Sequence, residues 1–100
     1  MRVIAKSTLV DFWDQHPETK PSLQRWLALV GASLWTSMSE IRATFASAVV
    51  LNGERVRFEV AGGNYRMIVS IAFRPRIVFI KFLGTHKEYD AIDALTVANF

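Results

Sequence analysis

The stretch Arg55-Val56-Arg57-Phe58-Glu59-Val60-Ala61-Gly62-Gly63-Asn64-Tyr65-Arg66-Met67-Ile68-Val69-Ser70-Ile71-Ala72-Phe73-Arg74 keeps a period of two on both sides of a four-residue interruption. Val56, Phe58 and Val60 fall on one face, with Arg55, Arg57 and Glu59 on the other, because successive side chains of an extended chain point to opposite sides. Ala61-Gly62-Gly63-Asn64 predicts a turn. Tyr65, Met67, Val69, Ile71 and Phe73 then alternate with Arg66, Ile68, Ser70, Ala72 and Arg74. Pro75 marks a second turn, and Ile77 to Leu83 is a nearly continuous apolar run carrying one charge, Lys81. That pattern belongs to a strand covered on both faces, hence a central one. Upstream, Ala48-Val49-Val50-Leu51 is a strand candidate, and Asn52-Gly53 predicts a tight hairpin because both residues tolerate positive φ. The second half of the chain is an antiparallel meander.

The first half changes period. Val3-Ile4 predicts a short N-terminal or edge strand. Leu9, Phe12, Trp13 and His16 recur at helical spacing and predict a helix from about Ser7 to His16, ended by Pro17. Pro21 suits a first helical turn, and Leu23, Trp26, Leu27 and Val30 form a second apolar stripe before Gly31. The short connection makes the two an antiparallel helical hairpin. Ser37 and Glu40 have capping-box spacing and predict a one-turn helix. His86 to about Ala94 is suited to a short terminal helix. The expected fold class is α+β, one domain over residues 1–100, with an N-terminal strand and helical hairpin packed on an antiparallel sheet. The helices cover one face of the sheet, which leaves the basic side chains on the other face or at its rim.

Composition supports a globular chain: 51% of the 100 residues are hydrophobic and 21% are charged. The absence of cysteine excludes a thiolate nucleophile, a disulfide scaffold and Cys-ligated metal, and two histidines make a multi-His metal cage improbable. Neither a metal nor a cofactor is expected. No apolar run approaches a membrane span and the start lacks a signal-peptide core, so the expected location is the cytoplasm. The net charge is +3, but Arg55 to Lys87 holds seven basic residues against the single acid Glu59, so this segment is +6 and the remainder −3. Such a concentration suits a polyanion, since phosphates attract Lys and Arg and release counterions on binding. A solvated strand face, or a site for an acidic protein, explains the same charge.

Lys81 is the only charge in its strand, and a lysine buried without a partner costs several kcal/mol, so it must emerge into a cleft or meet an acceptor. With a two-residue loop at Pro75-Arg76, Ser70 lies opposite Lys81, Ile68 opposite Leu83, and Arg66 opposite Thr85 on the face of Lys81. A one-residue slip places Tyr65 on that face instead. In Gly84-Thr85-His86-Lys87-Glu88-Tyr89-Asp90, a helix starting near Thr85 puts His86 on one face with Tyr89 or Asp90. Arg66, Lys81, His86 and Tyr89 then suit RNA cleavage by the ribose 2′-hydroxyl. That reaction needs a base, cations for the phosphorane charge and a proton donor for the leaving oxygen. The substrate supplies the nucleophile, so no metal is required. Tyr89 can instead stack on a base. Arg55, Arg57, Arg74, Arg76 and Lys87 are candidate RNA contacts, Arg74 and Arg76 flanking an exposed turn.

Each of these residues also has a plainer role. A His beside a Lys at a strand end is commonly a surface residue, and Tyr89 can simply pack on the meander. Trp13, Trp26 and Trp35 fall on helical stripes or ends and read as core. His16 reads as a cap for helix carbonyls, and Gly62-Gly63 is too short for a phosphate loop.

Several segments resemble HigB toxins of type II toxin–antitoxin systems, within the RelE-like superfamily. They are Met1-Arg2-Val3-Ile4, Phe12-Trp13-Asp14-Gln15-His16-Pro17, Phe58-Glu59-Val60 running to Tyr65-Arg66, Ile80-Lys81-Phe82, and Gly84 through Asp93. The Thr85-His86-Lys87-Glu88-Tyr89-Asp90 block is the most specific. Where the pattern has Gly-Asn-x-Tyr-Arg, this chain has Gly62-Gly63-Asn64-Tyr65-Arg66, with the Asn one place late. The resemblance implies a RelE-like fold and an mRNA interferase cutting mRNA on the ribosome. It also implies a HigA-like helix-turn-helix antitoxin as partner. By position it implies Arg66 and Lys81 for phosphate charge, His86 for proton transfer, and Tyr89 for proton transfer or stacking. Two other classes stay open: a ParE-like inhibitor of DNA gyrase, and a non-catalytic RNA- or partner-binding module.

Overall fold

The alternating stretch forms the middle of a five-stranded sheet in the computed structural model, which describes residues 1–100. In chain order the elements begin with β1 (Arg2–Ile4), α1 (Lys6–Gln15), α2 (Lys20–Gly31) and α3 (Met38–Thr44). Then come β2 (Val49–Val50), β3 (Arg55–Val60), β4 (Tyr65–Ala72), β5 (Ile77–Thr85) and α4 (His86–Asp90). Single 3₁₀ turns lie at Pro17–Thr19 and Ala61–Gly63. The spatial order is β1-β5-β4-β3-β2, with β1 parallel to β5 and every other pair antiparallel. β5 therefore has a neighbour on each side, as its apolar run requires. The fold is α+β, as the periodicities predict, with a five-stranded mixed sheet.

The helices cover one face. Leu9 of α1, Leu23, Trp26 and Val30 of α2, and Ile41 of α3 are buried against Val56, Phe58, Met67, Val69 and Ile80. Burying each large aliphatic side chain contributes about 1.5–3 kcal/mol, so this layer is the main source of stability. Phe58 meets Trp26 and Phe45 edge-on, at centroid distances of 5.6 and 5.1 Å. Trp26 and Trp35 are core residues and Trp13 packs partly buried against the core. The Met1 ammonium donates to the carbonyls of Val30 and Ser33, at 3.2 and 2.6 Å. A positive charge thus sits at the C-terminal end of α2, where the helix dipole favours it.

Several local expectations change. The β4–β5 loop is four residues rather than two: Ala72 pairs with Ile77, and the Arg76 N–H donates to the Phe73 carbonyl at 3.2 Å. Proline's φ near −65° is incompatible with the positive φ that a tight I′ hairpin needs at its first position, so the loop lengthens and Arg76 takes φ +59°. The ladder then pairs Arg66 with Gly84, Ile68 with Phe82, and Ser70 with Phe79. Lys81 is the extra residue of a bulge, because Val69 pairs with Ile80 while its neighbour Ile68 pairs with Phe82. A bulge reverses the facing of everything beyond it. Phe82 and Gly84 are sent to the face opposite α1–α3, and Leu83 and Thr85 to the face those helices cover. Tyr65, opposite Thr85, lies on the helical face, and Arg66 stays on the open one.

The β2–β3 connection is also wider than a two-residue hairpin, since Val50 pairs with Val56. Asn52 and Gly53 keep negative φ. The Asn52 side chain closes the turn instead, accepting from the N–H groups of Glu54 and Arg55 at 2.9 and 2.7 Å. At α3, Ser37 makes no side-chain cap, and Glu40 accepts from the Thr36 hydroxyl and N–H. The reciprocal capping box forms at Thr85 and Glu88. The terminal helix stops at Asp90 rather than near Ala94.

On the face opposite α1–α3, Ile68 and Phe82 are nonetheless buried, at 0% and 4% exposure. The segment after α4 crosses this face from β3 to β5. The Arg55 guanidinium donates to the carbonyls of Ala94 and Val97, at 3.1 and 2.7 Å, and the Asn99 N–H donates to the Lys81 carbonyl at 2.9 Å. Phe100 reaches a small cavity shared with Ile4, Thr8 and Phe79.

Candidate active site

Thr85 starts α4. Its hydroxyl accepts from the Glu88 N–H at 3.1 Å, and the Glu88 carboxylate accepts from the Thr85 N–H at 2.9 Å. Those bonds hold the Glu88 carboxyl below the ordinary carboxylate range. The His86 N–H donates to the Asn64 carbonyl at 3.2 Å, tying α4 to the β3–β4 turn. Gly84 makes the docking possible: a Cβ there would stand 2.8 Å from the Phe82 ring and 3.2 Å from the Glu88 carboxylate. One turn into α4, Tyr89 comes down on the open face of β3 and β4.

There it meets two arginines. Arg57 Nη1 donates to Tyr89 Oη at 3.3 Å, and the guanidinium carbons of Arg57 and Arg66 lie 5.4 and 4.8 Å from the ring centroid. Phe82 flanks the ring at 6.2 Å. Glu59 Oε1 lies 3.5 Å from Arg57 Nη2 and 3.6 Å from Arg66 Nε. All three charged side chains are largely shielded, 17–25% exposed, so their mutual attraction is screened less than on an open surface. Two cations, one anion and a phenol thus share one half-buried patch with net charge +1.

Of the residues singled out from the sequence, Arg66 and Tyr89 touch. His86 is on the first turn of α4, half exposed, its Nδ1 3.2 Å from the Asp90 carboxylate. Lys81 lies on the open face at the bulge, its Nζ 5.5 Å from the Phe79 ring centroid. Arg57 joins the cluster, whereas Arg55 is engaged by the carbonyls of the terminal segment. Lys87 is exposed on α4. Arg74 and Arg76 are exposed at the β4–β5 loop; Arg74 is eight positions from Arg66, about 26 Å of extended chain. Glu59 was not singled out. Its signal is its place as the only acid in the basic segment, seven positions before Arg66 across the Ala61–Asn64 turn.

A family model for HigB toxin, the RelE-like toxic component of a toxin–antitoxin system, matches residues 19–92. The chain belongs to that family. The match runs from α2 through α4 and takes in Arg57, Glu59, Arg66, Lys81, His86 and Tyr89, while β1, all of α1 and the last eight residues fall outside it. As the toxic component, the protein has an antitoxin as its partner. A search of curated proteins returned no match. No helix is long and apolar enough to cross a membrane.

This HigB-family toxin has a second polar cluster at the start of β4. The Tyr65 hydroxyl donates to the Glu18 carboxylate and lies 3.4 Å from His16 Nδ1. The Tyr65 bond, followed by a backbone bond, holds Glu18 below the ordinary carboxylate range, and the same bond, with burial, raises Tyr65 above the ordinary phenol value. The His16 ring packs on Phe12 at 4.5 Å and does not cap carbonyls as expected. It is the Thr19 hydroxyl that satisfies the His16 carbonyl, at 2.7 Å. These groups clamp the α1–α2 corner to β4.

Proposed function

We propose that this toxin is an endoribonuclease that cleaves mRNA on the translating ribosome, without a metal, through the ribose 2′-hydroxyl. In this reaction the 2′-hydroxyl loses its proton to His86, its oxygen bonds to the adjacent phosphorus, and the bond from phosphorus to the 5′-oxygen breaks. The leaving oxygen takes a proton from the Tyr89 phenol, and the products are a 2′,3′-cyclic phosphate and a 5′-hydroxyl. Arg66, Arg57 and Lys81 face the charge that builds on the phosphorane oxygens. Tyr89 acts through its hydroxyl rather than by stacking, because guanidinium groups already engage its ring. Lys87 extends the path of the RNA along α4, and Arg74 and Arg76 meet more distant phosphates. The antitoxin is a HigA-like helix-turn-helix protein, and both partners work in the cytoplasm.

One observation carries this reading: Arg57 and Arg66 converge on Tyr89 on the open face, whereas Arg55 is taken up by the carbonyls of the terminal segment. Purified toxin is incubated with end-labelled RNA, free and on translating ribosomes, and the new ends are identified. Cleavage giving cyclic phosphate ends, blocked by a single 2′-deoxy substitution at the cut, is the expected result. Intact RNA in both settings overturns the proposal, and damaged DNA in induced cells would point to gyrase instead.

A further inference from the structure

We infer that Glu59 is a positioning residue, whose carboxylate holds Arg57 and Arg66 together against Tyr89 so that both face the scissile phosphate; this rests on the ribonuclease reading above. The need for such a group follows from electrostatics. Two guanidinium groups within 5.4 and 4.8 Å of one ring centroid repel each other, and the Nε atoms of both arginines are buried without a hydrogen-bond partner. Left uncompensated, like charges in a shielded patch swing apart toward water.

The backbone places the compensating charge. Glu59 is the ladder partner of Arg66 across β3 and β4, and it lies two residues from Arg57 on the same face of β3. A single oxygen, Oε1, therefore comes within 3.5 and 3.6 Å of the two cations. The other, Oε2, faces Gly63, where a Cβ would intrude to 3.2 Å and where φ is +92°. The glycine turn thus leaves the room in which the carboxylate sits. No contact joins Glu59 to the Tyr89 oxygen, so its effect passes through the arginines.

That chain of contacts has a distinctive kinetic sign. Glu59→Gln removes the negative charge but keeps the size, so the patch goes from +1 to +2. RNA then binds as well or better, while the reacting geometry loosens. The expected result for E59Q is a kcat lowered on the order of 10²-fold, as for a misplacement of about 1 Å, with KM unchanged or lower. E59D, which keeps the charge on a shorter arm, recovers most of the loss. Nitrogen-15 spectra of the Arg57 and Arg66 Nε–H groups give a second readout that requires no cleavage. In wild type and E59D the two signals are dispersed, and in E59Q they move toward the position of free arginine. Arginine signals that stay put in folded E59Q overturn the inference, as does a raised KM at unchanged kcat. Should the wild type cut no RNA, the ribonuclease reading falls alone, and the arginine spectra decide the role of Glu59.

Discussion

Arg55 and Arg57 stand two residues apart on the same face of β3, with the same side chain and similar burial, yet they meet different surroundings. Arg55 lies under the terminal segment and bonds the carbonyls of Ala94 and Val97. Arg57 faces α4 and donates to the Tyr89 hydroxyl. Carbonyl oxygens are fixed acceptors that satisfy a guanidinium without giving it a substrate to act on. A phenol, a second arginine and a shared carboxylate form a charged patch with a proton donor. The difference teaches that a strand supplies only direction, and that the element docked over each arginine decides whether it is held by fixed carbonyls or joins a charged cluster.

The widest separation is expected in activity. Arg66→Ala should lower RNA cleavage by on the order of 10²–10³-fold, the cost of losing one donor to transition-state charge, about 2.7–4 kcal/mol. Arg55→Ala should change the cleavage rate by less than about threefold at low temperature, since few distant contacts reach the reacting atoms. Rates from single-turnover cleavage of a labelled RNA test both, and equal losses at the two positions would erase the comparison.

Stability should show the opposite order. Arg55→Ala removes two hydrogen bonds from a charged donor and frees the segment over Ile68, with an expected cost of about 1.5–3 kcal/mol. Arg57→Ala should cost less than half as much. Urea unfolding followed by tryptophan fluorescence measures each.

A smaller effect should follow from Thr85→Ala. Loss of the cap costs about 1 kcal/mol and loosens α4, so activity should fall further than stability explains. Amide exchange at His86 through Tyr89 should rise, while exchange at Ile68 stays slow.

The smallest effect concerns the corner where Tyr65 donates to Glu18. The carboxyl of Glu18 titrates below 4.5 in the folded state, so its contribution is complete above pH 4.5 and is lost as pH falls through the folded value. Tyr65 titrates above 10.0, so its contribution is complete below pH 10 and is lost as pH rises through the folded value. Tyr65→Phe should therefore flatten the dependence of melting temperature on pH at both extremes. RNA cleavage at neutral pH should stay near wild type, since this cluster lies on the helical face.

Much of this was open to inspection in the chain alone. Alternation along Arg55–Val60 and Tyr65–Ala72 assigns each side chain to a face, because strand geometry admits only two. Prolines and apolar stripes mark α1 and α2, and the apolar run around Lys81 announces a central strand. Those are local rules, obeyed whatever the partners are, and they already gather Arg57 and Arg66 on the uncovered side. Pairing is another matter. Whether Arg66 meets Thr85 or Gly84 depends on a loop lengthened by Pro75 and on a bulge at Lys81, both outcomes of how two strands close on each other. The terminal segment is more remote still: its carbonyls reach Arg55 across 39 and 42 positions of sequence. No periodicity encodes a contact of that kind, because its free energy arises only when the sheet exists to be crossed. Tertiary structure therefore decided which arginine was left to face Tyr89.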